Sequence, residues 1–164
     1  MAKVPAVLAL GGNLGDRVAN LRGAIADIGA IEGVKVRKTS PLVESHAVTV
    51  GGVDDKAPKY LNAVVLIESS LKPKPLLAAL HQVETKHGRV RLERWGSRTL
   101  DIDIITYGDV IRAGKELTIP HPRAYQRGFV LVPWAAVDPE AVLPGHGRVA
   151  ELAAEFADQV WVVE

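Results

Sequence analysis

Leu100-Asp101-Ile102-Asp103-Ile104-Ile105-Thr106-Tyr107 is the stretch on which the fold turns. Its β-branched and aromatic residues predict a strand. Alternate side chains of a strand share a face, so Ile102 and Ile104 enter a core while Asp101 and Asp103 point together the other way. Downstream, Leu117-Thr118-Ile119 reads as a short strand of a hairpin, and Pro120 and Pro122 then enforce an irregular turn. Upstream lies a polar, aperiodic segment containing Arg89, Arg91, Arg94 and Arg98, read as a loop. Before it, Pro73 and Pro75 precede a helix whose Leu76, Leu77, Leu80 and Val83 form one apolar face, closed by Gly88.

Further out, Val4 to Leu10 reads as a buried strand, Gly11-Gly12-Asn13 as a turn, and Asp16 as the cap of a helix carrying Val18, Leu21, Ile25 and Ile28. Val34 to Val43 is strand-like, with Pro41 marking an edge or bulge. Ser45 to Lys59 has no periodicity and reads as a long functional or disordered loop. Tyr60 to Glu68 is a second strong strand, Arg148 to Phe156 a helix and Val160 to Val163 a final strand. Strands and helices mix without strict alternation, which favours an α+β sandwich over a doubly wound sheet.

The chain has 164 residues, 48% hydrophobic and 24% charged, which suits one domain over residues 1–164 and argues against wholesale disorder. It has no cysteine, excluding disulfides, thiolate metal sites and a cysteine nucleophile. The apolar start at Val4–Leu10 is too short for a signal peptide, and no apolar run is long enough to span a membrane, so a cytoplasmic protein is expected. The formal net charge of +1 points to no partner, but charge distribution does. Four of the eleven arginines fall between residues 89 and 98, directly before the two aspartates.

The Asp101/Asp103 pair is either the polar face of an amphipathic strand or a seat for a hard cation, since two adjacent carboxylates repel unless a cation sits between them. The arginine loop reads as a solvated turn, a nucleic-acid patch or a set of guanidinium forks for a polyphosphate. Trp95 within it either anchors the loop or stacks on a planar ligand. Gly11 to Asp16 fits neither G-x-G-x-x-G nor the P-loop, and reads as a tight turn or a phosphate-binding one. Tyr60 and Asn62 share a face, for core packing or for stacking on and hydrogen-bonding a heterocycle. His121, stiffened by two prolines, is a surface turn residue or a phosphate donor, and Glu84 alone reads as solvated.

Together, Leu10-Gly11-Gly12-Asn13-Leu14-Gly15-Asp16, Tyr60-Leu61-Asn62-Ala63-Val64, Gly88-Arg89-Val90-Arg91, Arg94-Trp95-Gly96-Ser97-Arg98-Thr99-Leu100-Asp101-Ile102-Asp103, Pro120-His121-Pro122-Arg123 and Arg127-Gly128-Phe129-Val130-Leu131 strongly resemble the 6-hydroxymethyl-7,8-dihydropterin pyrophosphokinases of folate biosynthesis. The resemblance runs in order through nearly the whole chain. It implies a ferredoxin-like α+β fold, an antiparallel sheet packed with helices, and no Walker loop. It implies transfer of pyrophosphate from ATP to the hydroxymethyl of the reduced pterin, leaving AMP. Asp101 and Asp103 would hold two Mg²⁺ ions, and Arg89, Arg91 and Arg98 would join them as catalytic residues. Glu84, Arg91, Trp95, Ile104, Thr118, His121 and Arg127 match ATP-side positions, with Ile104 acting through its backbone. Gly11, Ser45, Val48, Tyr60, Asn62, Trp95 and Phe129 match the pterin side, with Tyr60 and Phe129 sandwiching the ring and Asn62 reading its polar edge. Closure of the arginine loop would exclude water. Gly12 stands where the family has a serine, Ser45-His46-Ala47-Val48 where it has a threonine and prolines, and His81 where it has a glutamine. A monomer without nucleic-acid or membrane partners is expected.

Two rivals remain. A ferredoxin-like nucleic-acid-binding module using the Arg89–Arg98 loop explains the arginines. It leaves unexplained two acids that would repel phosphate without metal, and no RNP1-like string is present. A catalytically dead pterin binder conflicts with the intact Asp101, Asp103 and His121.

Overall fold

The computed structural model describes residues 3–45, 47–49, 52–54, 59–87 and 100–163. Its elements run β1 (Val4–Gly12), α1 (Arg17–Gly29), β2 (Val34–Thr39), β3 (Val43–Ser45), β4 (Ala47–Thr49), β5 (Gly52–Asp54), β6 (Tyr60–Ser69), α2 (Pro73–Lys86), β7 (Asp101–Tyr107), α3 (Gly128–Val137), β8 (Val142–Leu143), β9 (Gly147–Arg148), α4 (Val149–Ala154) and β10 (Val160–Val162). The main sheet is ordered β10-β3-β6-β1-β7, with β2 also on β6, and every pairing is antiparallel. Taking β2 and β3 as one interrupted strand, β1-α1-β2/β3-β6-α2-β7 is the β-α-β-β-α-β arrangement of a ferredoxin-like fold.

Strand alternation builds two cores. Ala6, Leu8 and Leu10 of β1, Leu61, Ala63, Val65 and Ile67 of β6 and Ile102 and Ile104 of β7 pack against Leu21, Ala24 and Ile28 of α1 and Leu76, Leu80 and Val83 of α2. On the opposite face Ala9, Val64 and Ile105 meet Val130, Leu131 and Trp134 of α3 and Val149 and Ala153 of α4. α1 is started by the Asp16 carboxylate, which accepts the Ala19 N–H at 3.1 Å. Pro73 stands at the first position of α2, where a missing N–H costs nothing.

The long strand-like run after Val34 is broken in two. β2 and β3 lie end to end along one edge of β6, separated at Ser40-Pro41-Leu42. Pro41 brings no N–H, and Ser40 bridges the gap: its N–H donates to the Val64 carbonyl at 2.9 Å and its hydroxyl accepts the Val64 N–H at 2.8 Å.

Four further expectations are corrected. β1 runs on through Gly11 and Gly12, so the turn begins later than the glycines suggest. Ser45 ends a strand, and the stretch after it carries the β4–β5 ribbon, which has no alternation because it is only three residues a side. α4 stops at Ala154, short of Phe156. Leu117-Thr118-Ile119 forms only a bridge from Ile119 to Arg112. Helix α3, absent from the sequence reading, is apolar on all sides and contains Pro133, so no helical periodicity marks it. The expected closing Gly88 lies outside the described residues.

Candidate active site

The site grows from one row across the sheet. Val43, Asn62, Gly11 and Asp101 are successive register partners on β3, β6, β1 and β7, and Asp103 follows opposite Ala9. Their parity places Asn62, Gly11, Asp101 and Asp103 on the α3 side, at the strand ends beyond its apolar core. Gly11 is required there by space. A Cβ on it would lie 2.4 Å from Asn62 Oδ1, so the glycine lets the buried amide lie across β1. Asn62 Nδ2 donates to Ser45 Oγ at 3.1 Å, and both residues are buried. Tyr60, two residues before Asn62 and paired with Ser45, shares this face. It is half-buried, as is Phe129 in the first turn of α3.

β7 contains an irregularity that organises the other side of the site. Leu8 pairs with Ile104 and Val7 with Thr106, so Ile105 is an extra residue. Such a bulge changes which face later residues occupy. Asp101, Asp103 and Ile105 face α3, whereas Tyr107 turns into the α1/α2 core and its hydroxyl donates to the Leu71 carbonyl. The Ile105 carbonyl accepts the His121 N–H at 2.9 Å. His121, just past the cis Ile119–Pro120 peptide, is thereby tied to the carboxylate strand.

Burial lowers the His121 imidazole pKa. The Arg127 and Arg123 charges reinforce this, and the Asp103 charge opposes it. The ring is therefore neutral near pH 7. Its Nδ1 accepts the Arg123 N–H at 3.2 Å, which assigns the proton to Nε2 and leaves that atom a donor. Arg127 Nη1 stands 3.8 Å from Asp103 Oδ2, and its guanidinium lies 5.6 Å from the centre of the Phe129 ring. The Asp103 side chain is 44% exposed, open enough to take a ligand as well.

Of the predicted residues, Asp101, Asp103, Gly11, Ser45, Tyr60, Asn62, His121, Arg127 and Phe129 thus fall on one face or its border. Glu84 falls elsewhere, and it is not solvated: it is buried on α2, and its Oε2 accepts the Ile102 N–H at 2.7 Å. The sequence held the signal, because residue 84 is four beyond Leu80 and so on the buried stripe. Since Ile102 directs its N–H away from β1, alternation turns the Ile104 backbone to the same outer edge of β7. Thr118 is half-buried and donates to the Gly114 carbonyl at 3.2 Å. Arg89, Arg91, Arg94, Trp95 and Arg98 lie outside the described residues, as does the side chain of Val48. Sequence reasoning missed Arg123, whose backbone sets the His121 tautomer. No residue-type signal marks a main-chain donor.

Among the described residues no cluster of three or more His, Cys, Asp or Glu is positioned to hold a metal. Two carboxylates nonetheless suit Mg²⁺, which typically takes one or two and completes its shell with water and phosphate oxygens. Asp101 and Asp103, on one face and partly exposed, fit that requirement. No helix among the described residues is long and apolar enough to cross a membrane.

Fold and corner together define a class, a ferredoxin-like α+β protein with two carboxylates, an imidazole and a guanidinium at its strand ends. The family model for 7,8-dihydro-6-hydroxymethylpterin-pyrophosphokinase (HPPK) matches residues 7–139. The 2-amino-4-hydroxy-6-hydroxymethyldihydropteridine pyrophosphokinase of Synechocystis sp. is 42% identical over 160 residues, covering 96% of this chain and 80% of that protein. The protein of the same name from Haemophilus influenzae is 41% identical over 155 residues, covering 94% of each. The crystal structure of Plasmodium falciparum HPPK-DHPS with pteroate superposes with a TM-score of 0.71 at 14% identity. It covers 95% of this chain but 45% of the longer one, and at that identity it speaks for the fold alone. The chain belongs to the 7,8-dihydro-6-hydroxymethylpterin-pyrophosphokinase family.

Proposed function

We propose that the chain, acting as one domain over residues 1–164, transfers the pyrophosphoryl group of ATP to the hydroxymethyl of 6-hydroxymethyl-7,8-dihydropterin in folate biosynthesis. The observation that carries the site assignment is the placement of Asp101 and Asp103 on the same sheet face as Gly11 and Asn62, beside His121 and Arg127. The hydroxymethyl oxygen attacks the β-phosphorus. The bond from that phosphorus to the oxygen shared with the α-phosphate breaks, AMP leaves, and the hydroxyl loses its proton.

This chain's residues supply position and charge, the main currency of phosphoryl transfer. Tyr60 and Phe129 sandwich the pterin, with Asn62, held by Ser45, presenting its amide to the polar edge and Gly11 leaving that amide room. Val48 is assigned to the pterin by family resemblance alone. His121 donates from Nε2 to a phosphate oxygen, and Arg127 exchanges its Asp103 contact for phosphate. Arg89, Arg91 and Arg98 neutralise the triphosphate and Trp95 serves both substrates, assignments supported by their sequence motif. The Ile104 backbone and Thr118 meet the nucleotide. Glu84 acts on that side through the strand it anchors. Asp101 and Asp103 would hold Mg²⁺, two ions by family resemblance, and the metal would supply acidification of the hydroxyl and charge neutralisation at the phosphates. The protein works as a cytoplasmic monomer.

Mass spectrometry of products from ATP, Mg²⁺ and the hydroxymethylpterin tests the reaction. Pterin diphosphate with AMP is expected. ADP would mean transfer of a single phosphate and overturn it. Salt-sensitive RNA binding without Mg²⁺ would favour the nucleic-acid reading instead.

A further inference from the structure

Behind the pterin face, on the α1 side of the sheet, four segments converge. Arg17, the first residue of α1, places Nη1 2.8 Å from Glu44 Oε2 and donates from the same atom to the Lys59 carbonyl at 2.9 Å. Glu44 Oε1 accepts the indole N–H of Trp161 on β10 at 3.1 Å. The Lys59 ammonium lies 5.4 Å from the centre of the Trp161 ring. Strand parity makes the arrangement two-sided. Glu44 pairs with Leu61, which faces α1, whereas its neighbour Ser45 pairs with Tyr60 on the other face. The carbonyl that Arg17 holds belongs to the Lys59–Tyr60 peptide itself.

We propose that Arg17, held by Glu44, is a positioning residue for the pterin: it fixes the peptide plane before Tyr60 and so aims the ring that stacks on the substrate. This deepens the proposed function and rests on the assignment of Tyr60 and Asn62 to the pterin. The geometry fits the role. Tyr60 is paired with Ser45, and a second hold on the peptide before it leaves less of the side chain to be ordered at each binding event, where ordering costs affinity. The clamp stays charged at working pH. Burial pushes the Glu44 carboxyl pKa up, but hydrogen bonds from Arg17 and Trp161 and the charges of Arg17 and Lys59 outweigh it and hold the carboxyl below its usual range. A single guanidinium nitrogen serves the carboxylate and the carbonyl together, so the Glu44 contact and the Lys59 contact are held as one unit. The clamp lies on the opposite face of the sheet from Asp101 and Asp103, so it bears on where the pterin sits rather than on charge at the phosphorus.

The test is steady-state kinetics of the full chain with ATP and the hydroxymethylpterin, alongside thermal unfolding, for Arg17→Met, Arg17→Lys and Glu44→Gln. Arg17→Met keeps the apolar stem and removes the donors. Its pterin KM should rise roughly tenfold, with the ATP KM and kcat each within about twofold. Arg17→Lys should recover part of the loss, and Glu44→Gln should show a smaller rise of the same kind. A folded Arg17→Met with unchanged pterin KM would overturn the proposal. So would parallel rises in both KM values that track the fall in Tm, the mark of a merely structural residue. Should Arg17→Met fail to fold, Glu44→Gln decides by the same criterion. Wild-type protein that turns over normally while Tyr60→Ala leaves the pterin KM unchanged would instead sink the underlying pterin assignment.

Discussion

On the face toward α1 and α2, strands β1, β6 and β7 carry Leu10, Leu61, Ala63, Ile102 and Ile104, apolar to the strand ends. On the face toward α3 the same strands end in Gly11, Asn62, Asp101 and Asp103. The backbone ladder is shared, so the difference lies wholly in the alternate side chains. Two helices cover the first face along its length, and apolar residues follow them. α3 begins only at Gly128, and the polar corner beyond its core is what the sequence leaves for chemistry. At its end, past the second core, a period-two element can thus be scaffold on one side and site on the other, with each substitution there assigned by parity.

The largest expected effect breaks the second face alone. Asp103→Ala should lower kcat by at least about a thousandfold, several kcal/mol of lost charge stabilisation, while thermal unfolding stays near wild type. AMP formation near the wild-type rate would remove Asp103 from the centre. The converse change is Leu80→Ala, on the covered side. It should cost about 2–5 kcal/mol of stability, read from the denaturant midpoint, while the surviving folded fraction keeps its KM values. Gly11→Ala sharpens the comparison, since the added methyl meets Asn62 Oδ1 at 2.4 Å. We expect a loss of about 1–3 kcal/mol together with weakened pterin binding; calorimetry with wild-type pterin affinity would show that Asn62 moves away harmlessly.

The smallest effect lies on the other face of the sheet, between the two helices. Asp27 on α1 binds His87 Nε2 at 2.7 Å and Lys86 Nζ at 3.0 Å at the end of α2. Hydrogen bonds from His87 and then Lys86 hold its carboxyl below the usual range, against a smaller opposing push from burial. A carboxylate with a lowered folded pKa stabilises the fold above its unfolded pKa, and that contribution vanishes as pH falls through the folded value. The stability lead of wild type over Asp27→Asn should be below about 1 kcal/mol at pH 7 and fade below about pH 4. A lead that persists at pH 2 would contradict the ion-pair origin.

How legible was this? Helices α1 and α2 stand out because each buries one side, so periodicity writes itself into the residues, whereas β1, β6 and β7 stand out as short apolar runs because their two faces feed two cores. α3 does not, since it is apolar all round and carries a proline. The break between β2 and β3 was announced by Pro41, but not the way Ser40 spans it. At the site, acids, aromatics and the histidine were visible as residue types. What the sequence hid is main-chain geometry: the bulge at Ile105, the carbonyl it gives to His121 and the Arg123 N–H that sets the imidazole. Glu84 was misread only because it was considered apart from the stripe it belongs to.

The surplus residue in β7 bears on how this chain tolerates changes in length. The excursion that leaves the strand is stitched at its start by the Gly108 N–H on the Pro5 carbonyl at 2.7 Å, and at its close by the reciprocal 2.8 Å bonds of Arg112 with Ile119 and the His121 bond to Ile105. Between those stitches Ala113, Gly114, Lys115 and Glu116 are exposed. Insertions or deletions there change the contour of the surface while the spacing between the aspartates and the imidazole stays constant, and the tip is tied to the site by the Gly114 carbonyl that holds the Thr118 hydroxyl, so length can vary at the tip wherever that pair is kept.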